Sequence, residues 1–111
     1  MIYLAAPYTH KHKEVEQIRV EQVTYVAACL MEKGQHVFSP LTHGHQLAIK
    51  RPLPTDFNFW GEQCERQLKM CDRVMVLMLD GYTSSTGVKA EVGQARSLGM
   101  QIDFVEFGDF I

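Results

Sequence analysis

Apolar positions along the chain switch between two spacings, one suited to strands and one to helices. Ile2–Ala5 is a short apolar run, closed by Pro7, which has no N–H to give to a sheet ladder. Across residues 14–33 the apolar positions Val15, Ile18, Val23, Val26, Ala27 and Leu30 recur at helical spacing, and Gly34 follows as a natural stop. Val37 and Phe38 mark a second strand, cut off by Ser39 and Pro40, and a polar, proline-containing loop is expected over residues 41–55. Asp56 is placed to cap a helix carrying Trp60, Cys64, Leu68 and Cys71 on one stripe. The clearest strand covers residues 73–79, whose continuous apolar run suits a parallel strand covered on both faces. A turn-rich loop over 80–86, a helix over 87–98 stopped by Gly99, and a last strand over 101–106 complete the pattern.

The predicted order is βαβαβαβ. It implies one α/β domain over residues 1–111, of flavodoxin- or Rossmann-like type, with a parallel sheet of about four strands and helices on both faces. In such sheets ligands bind beyond the carboxyl ends of the strands, which selects the loops at 6–13, 39–45 and 80–87.

Composition narrows the classes further. A chain of 111 residues accommodates one domain, and no apolar run is long enough to span a bilayer. Eleven basic against thirteen acidic residues leave no basic block, so nucleic acid is not an expected partner, and neither is a membrane. Met1 to Leu4 enter a strand-like run without a basic leader or cleavage site, so a cytoplasmic location is expected. Cys29, Cys64 and Cys71 form no CxxC pair and read as reduced thiols. His43 and His45 lack a spaced third ligand, so no metal is expected. With neither a GxGxxG fingerprint nor a GxxxxGK[ST] loop, no dinucleotide cofactor or Walker-type triphosphate site is expected.

Glu91 is the most informative residue. On a helical wheel Val88, Val92, Ala95 and Leu98 share one apolar face, Glu91 falls within that arc, and Lys89, Arg96 and Ser97 lie outside it. Two readings are open: a carboxylate buried near the ligand end of the sheet, or one at the stripe's edge reaching solvent. Ser84, Ser85, Thr86 and Gly87 lead into the same helix, where hydroxyls and free N–H groups suit a phosphate, or where Ser85 or Thr86 simply caps. Tyr3 is either core packing or a ligand neighbour, while Ala5, Ala6, Pro7 and Tyr8 would let a ligand approach the backbone closely. Lys11, Arg19 and Arg51 are candidate phosphate partners that serve equally as surface charges.

Several stretches together resemble the nucleoside 2-deoxyribosyltransferase superfamily. They are Ile2-Tyr3-Leu4-Ala5-Ala6-Pro7-Tyr8, Ser39-Pro40, Cys71-Asp72 before an apolar strand, and Ser85-Thr86-Gly87-Val88-Lys89-Ala90-Glu91-Val92-Gly93-Gln94-Ala95. In detail the chain is most similar to a short branch with Ser-Pro-Tyr-Ser-His near the start and Ser-x-Gly-Val-x-x-Glu before the last helix. The first motif stands here as Ala6-Pro7-Tyr8-Thr9-His10. The resemblance implies that Glu91 is a nucleophile on the sugar and that Tyr3 orients it. It places Ala6, Pro7, Tyr8, Ser39, Pro40, Asp80 and Ser84 to Gly87 around the substrate, and it implies a homodimer.

Two departures bear on the reaction. Family transferases carry Asp where Cys64 stands, and Asp where Ser85 stands. The related nucleoside 5′-monophosphate N-glycosidases carry Ser at the second position, beside the phosphate. Ser85 therefore favours hydrolysis of a (deoxy)nucleoside 5′-monophosphate over base exchange between nucleosides. Cys64 removes the usual proton donor, for which Asp56 and Asp80 are candidate substitutes. The alternatives are a transferase, which needs an acceptor base, and a nucleotide-binding module without turnover, for which Glu91 would be dispensable. The apolar end, residues 107–111, serves either a dimer contact or packing on its own domain.

Overall fold

The apolar runs pair into one sheet. The structure, a computed structural model, describes residues 1–54 and 56–111. Strands β1 (Ile2–Ala5), β2 (Val37–Phe38), β3 (Arg73–Leu77) and β4 (Gln101–Val105) lie in the order β2-β1-β3-β4, all parallel. Ile2 stands opposite Arg73 and Ala5 opposite Val76, so the two strands richest in small and branched residues form the centre.

Side chains alternate across this centre, and each face has its own cover. Ile2, Leu4, Met75 and Leu77 pack under helix α1 (Lys13–Glu32) through Val23, Val26, Ala27 and Leu30. Tyr3, Ala5, Val74 and Val76 pack under α3 (Phe57–Lys69) and α4 (Thr86–Ser97) through Leu68, Val88, Val92 and Ala95. This is the expected flavodoxin- or Rossmann-like arrangement, with helices on both faces and β3 inside the sheet. The chain leaves β1 towards β2 on one side and β3 on the other, so a crevice opens between the carboxyl ends of β1 and β3.

The loop expected after Pro40 is instead a helix, α2 (Pro40–Lys50). Its start was legible only as the end of β2: the Ser39 hydroxyl accepts the Thr42 N–H, and Pro40 takes the first helical position, where no N–H is needed. The body was not, because Thr42, His43, Gly44, His45 and Gln46 interrupt any apolar stripe and only Pro40 and Gly44 are buried. Thr55, which ended the expected loop, lies outside the described residues. Ser39→Ala should lower stability by about 1 kcal/mol and the melting temperature by roughly 4–8 °C in thermal denaturation. An unchanged melting temperature would show that the cap carries no weight.

The central strand is shorter than its apolar run. Met78 N–H still reaches the Val105 carbonyl at 2.8 Å, but the chain then turns out of the sheet towards Gly81. At the C-terminal end, a 3₁₀ turn (Phe107–Phe110) folds back on α1, with Phe107 5.9 Å from Tyr25 between ring centroids and the Lys33 ammonium 5.9 Å from the Phe110 centroid. That apolar end thus packs on its own domain. Among the described residues, no helix is long and apolar enough to cross a membrane.

Candidate active site

Glu91 sits on the buried stripe of α4, 5% exposed, among Val88, Val92 and Ala95. Of the two readings left open by the helical wheel, the buried one holds. A buried carboxylate needs a partner, and it has one: the Tyr3 hydroxyl donates to Glu91 Oε2. Tyr3 is fully buried in β1, its ring centroid 6.1 Å from that of Phe38. Among the described residues no donor reaches Glu91 Oε1, and Glu91 lines a cavity of about 690 Å³. The free oxygen therefore has the cavity as its outlet.

Burial dominates the electrostatics of this floor. It pushes the Glu91 carboxyl up to about 7, against the Tyr3 hydrogen bond, which favours the charged form. Burial, then the Glu91 charge and Cys64, hold the Tyr3 phenol far above its ordinary range, so it stays a proton donor. Cys64, from α3, reaches the same floor; burial raises its thiol, the Tyr3 hydroxyl lowers it and Glu91 raises it. Where the resembling transferases have a second carboxylate, this site holds a neutral thiol.

The expected loops supply the walls. Ala6, Pro7 and Tyr8 come from the β1 exit, Pro40 from the first turn of α2, and Asp80 from the β3 exit. Ser84, Ser85, Thr86 and Gly87 bring the start of α4 to the cavity. The capping reading holds, for Ser85 Oγ accepts the Val88 N–H at 3.2 Å, and Ser85 also lines the wall. Ser39 does not line the cavity, because its hydroxyl is committed to Thr42, at 2.8 Å from Thr42 Oγ1. Lys11 and Arg51 are exposed and lie outside the wall.

Arg19 has a larger place than its sequence context suggested. From α1 it donates to the carbonyls of Tyr8 at 3.3 Å, Thr9 at 3.1 Å and Asp80 at 2.8 Å, tying the β1 and β3 exits together at the crevice. Gly81 makes room for it: the residue has φ +88°, and a Cβ there would stand 3.0 Å from Arg19 Nη2. The guanidinium lines the cavity, and among the described residues it makes no ion pair with an acid.

Glu16 and His45 were not singled out as site residues. Glu16 is buried and accepts from His10 N–H at 2.9 Å and Lys13 Nζ at 3.3 Å, bracing the β1 exit loop. Its spacing signal was present, since Glu16 falls in the first turn of an amphipathic helix, but only the fold turns it inward. The His45 ring bridges two side chains, with Nε2 2.9 Å from Gln17 Oε1 and Nδ1 2.7 Å from the Tyr8 hydroxyl. Burial, then Glu16, pushes the Tyr8 phenol up to about 12. His43 and His45 do not converge, His43 lying 5.7 Å from the Phe38 ring. Among the described residues no group of three His, Cys, Asp or Glu side chains is placed to hold a metal.

The arrangement offers a buried carboxylate oriented by a phenol, one free oxygen facing a cavity, and a cation with a helix start beside it. No curated protein matches the chain. Residues 1–107 match a family profile, and the chain accordingly belongs to the family described as a domain of unknown function, DUF1937.

Proposed function

We propose that the protein cleaves the N-glycosidic bond of a (deoxy)nucleoside 5′-monophosphate through an ester on Glu91. The observation that carries this reading is the Glu91 carboxylate, buried, held at Oε2 by Tyr3 and open to the cavity at Oε1. A carboxylate is the nucleophile suited to an oxocarbenium-like sugar centre. Glu91 Oε1 bonds to the anomeric carbon while the C–N bond breaks. The bonding pair leaves with the base, which takes up a proton from solvent that the hydrolytic water later returns. Water then hydrolyses the ester, returning Glu91 and a sugar phosphate.

The anion end is read at Arg19 and the start of α4. The first N–H groups of a helix have no intrahelical partner and favour an anion, and Arg19 adds a full charge beside them. By the resemblance, the protein is a cytoplasmic enzyme of nucleotide metabolism that acts as a homodimer. Base release from a monophosphate without any acceptor base would support hydrolysis; release only when a second base is supplied would assign base exchange instead.

The phosphate has a measurable consequence. Charge-assisted contacts are worth about 1.5–3 kcal/mol each, so monophosphates should bind roughly ten- to a hundredfold more tightly than the matching nucleosides. Titration calorimetry on Glu91→Gln reads this directly. Equal affinities for the two forms would remove the phosphate from this end of the cavity.

A further inference from the structure

Besides Glu91, two carboxylates line the cavity, and they belong to different walls. Asp80 is on the Arg19 side, its carbonyl bound by the guanidinium at 2.8 Å. Asp56 is on the α3 side, next to Phe57, Asn58 and Trp60, which also line the cavity. The two rings on that side are held in place. The Trp60 indole N–H donates to the Pro54 carbonyl at 2.6 Å, and its ring lies 3.5 Å from where a Cβ on Gly44 would stand. The Phe57 ring comes within 3.0 Å of a Cβ on Gly61 and 3.9 Å of one on Gly87. This wall thus presents pinned aromatic surface with polar groups at its edge, a combination suited to a flat heterocycle.

Asp56 differs from the two serines that start α2 and α4. Ser39 and Ser85 cap their helices with their side chains, but Asp56, at the N-cap position of α3, makes no side-chain cap bond. Among the described residues its carboxylate has no hydrogen bond or ion pair. Both acceptor oxygens are therefore free at the aromatic wall.

We propose that Phe57, Trp60, Asp56 and Asn58 form a nucleobase subsite whose Asp56 carboxylate selects a base with two adjacent N–H donors, the edge that guanine presents. The proposal rests on reading the cavity as a nucleotide site. An ionised carboxylate accepts only. Guanine offers N1–H and the 2-amino group side by side, matching both oxygens, and the Asn58 amide can donate to O6. Adenine and cytosine place an acceptor beside their amino group, and thymine flanks its single N–H with acceptors. Hypoxanthine keeps N1–H but lacks the 2-amino group. Each of these leaves a carboxylate oxygen unpaired or facing a lone pair, which a site built for two donors rejects.

The test is titration calorimetry of Glu91→Gln protein with dGMP, dIMP, dAMP, dCMP and dTMP. A bidentate pair predicts dGMP binding at least about tenfold tighter than dIMP and the rest. Adding Asp56→Asn, which exchanges one acceptor for a donor at constant size, should weaken dGMP about tenfold and close the gap to dIMP. Asp56 is exposed, its side chain makes no cap bond, and the backbone carbonyl that accepts the Phe59 and Trp60 N–H groups is kept in Asp56→Asn, so the melting temperature should hold. Equal binding of dGMP and dIMP, or a gap that survives Asp56→Asn, overturns the subsite. If the dGMP preference appears while wild-type protein releases no base from dGMP, the subsite stands and the glycosidase reading falls. Failure of all five nucleotides to bind overturns both.

Discussion

Glu91→Gln and Glu91→Ala are expected to lose base release by several orders of magnitude, as removal of a covalent nucleophile does in other enzymes. Gln keeps the size of the side chain and removes its charge. Monophosphate binding should largely survive in both, because the proposed phosphate contacts come from Arg19 and the start of α4. Intact-protein mass spectrometry after a rapid acid quench should find a sugar-phosphate adduct on wild type and none on either variant. Undiminished release from Glu91→Ala would refute the assignment.

The same substitution carries a stability signature of known sign. Burial raises the Glu91 carboxyl from 4.5 to about 7, so between those values the folded protein holds a proton that the unfolded chain has released. Stability linked to Glu91 is therefore complete below about pH 4.5 and falls as pH rises through about 7. The loss is on the order of 3 kcal/mol. Glu91→Gln should remove this slope and be the more stable protein at pH 8. Denaturant titrations of both proteins across pH 4–9 measure it. Parallel curves would place Glu91 in contact with solvent.

Tyr3→Phe is the second large effect, and the pH profile separates its two possible roles. Among the described residues the Tyr3 hydroxyl is the one hydrogen-bond donor that supports the Glu91 charge. The proposed mechanism needs ionised Glu91, so kcat/KM should rise with pH through about 7 in wild type. Without the Tyr3 donor the carboxyl moves further up, so this limb should shift to higher pH. A charge-assisted hydrogen bond is worth about 1.5–3 kcal/mol, so activity at pH 7 should fall roughly ten- to a hundredfold. The ring still fills its place beside Phe38, so the fold should persist. A uniform loss with an unmoved limb would make Tyr3 a packing residue only.

Much of this molecule was written in local patterns. The apolar runs at Ile2–Ala5 and Arg73–Leu77 specified strands buried on both faces, and the alternation of strand and helix specified a parallel sheet. Those signals are short-range, because an element's period and its end signals are properties of neighbouring residues. The candidate nucleophile was legible for the same reason: a carboxylate on an apolar stripe violates the pattern around it. Helix α2 was not legible, since its few buried residues, Pro40 and Gly44, trace no stripe, and Gly44 is covered by the Trp60 ring from another helix.

Only the tertiary structure decided which partners these residues meet. Tyr3 and Glu91 are 88 positions apart, and Arg19 and Asp80 are 61 apart. Their contacts follow from the strand order β2-β1-β3-β4, which sets β1 beside β3 and opens the crevice between their ends. Nothing in the local sequence separates Arg19 from Lys11 or Arg51, yet the fold draws one into the crevice and leaves the others in solvent. Likewise Ser39 and Ser85 both cap helices in the fold, and only the second comes to lie on the cavity wall. A side chain's type and period are local properties, whereas its burial, its charge state and its neighbours are set by the elements that pack over it.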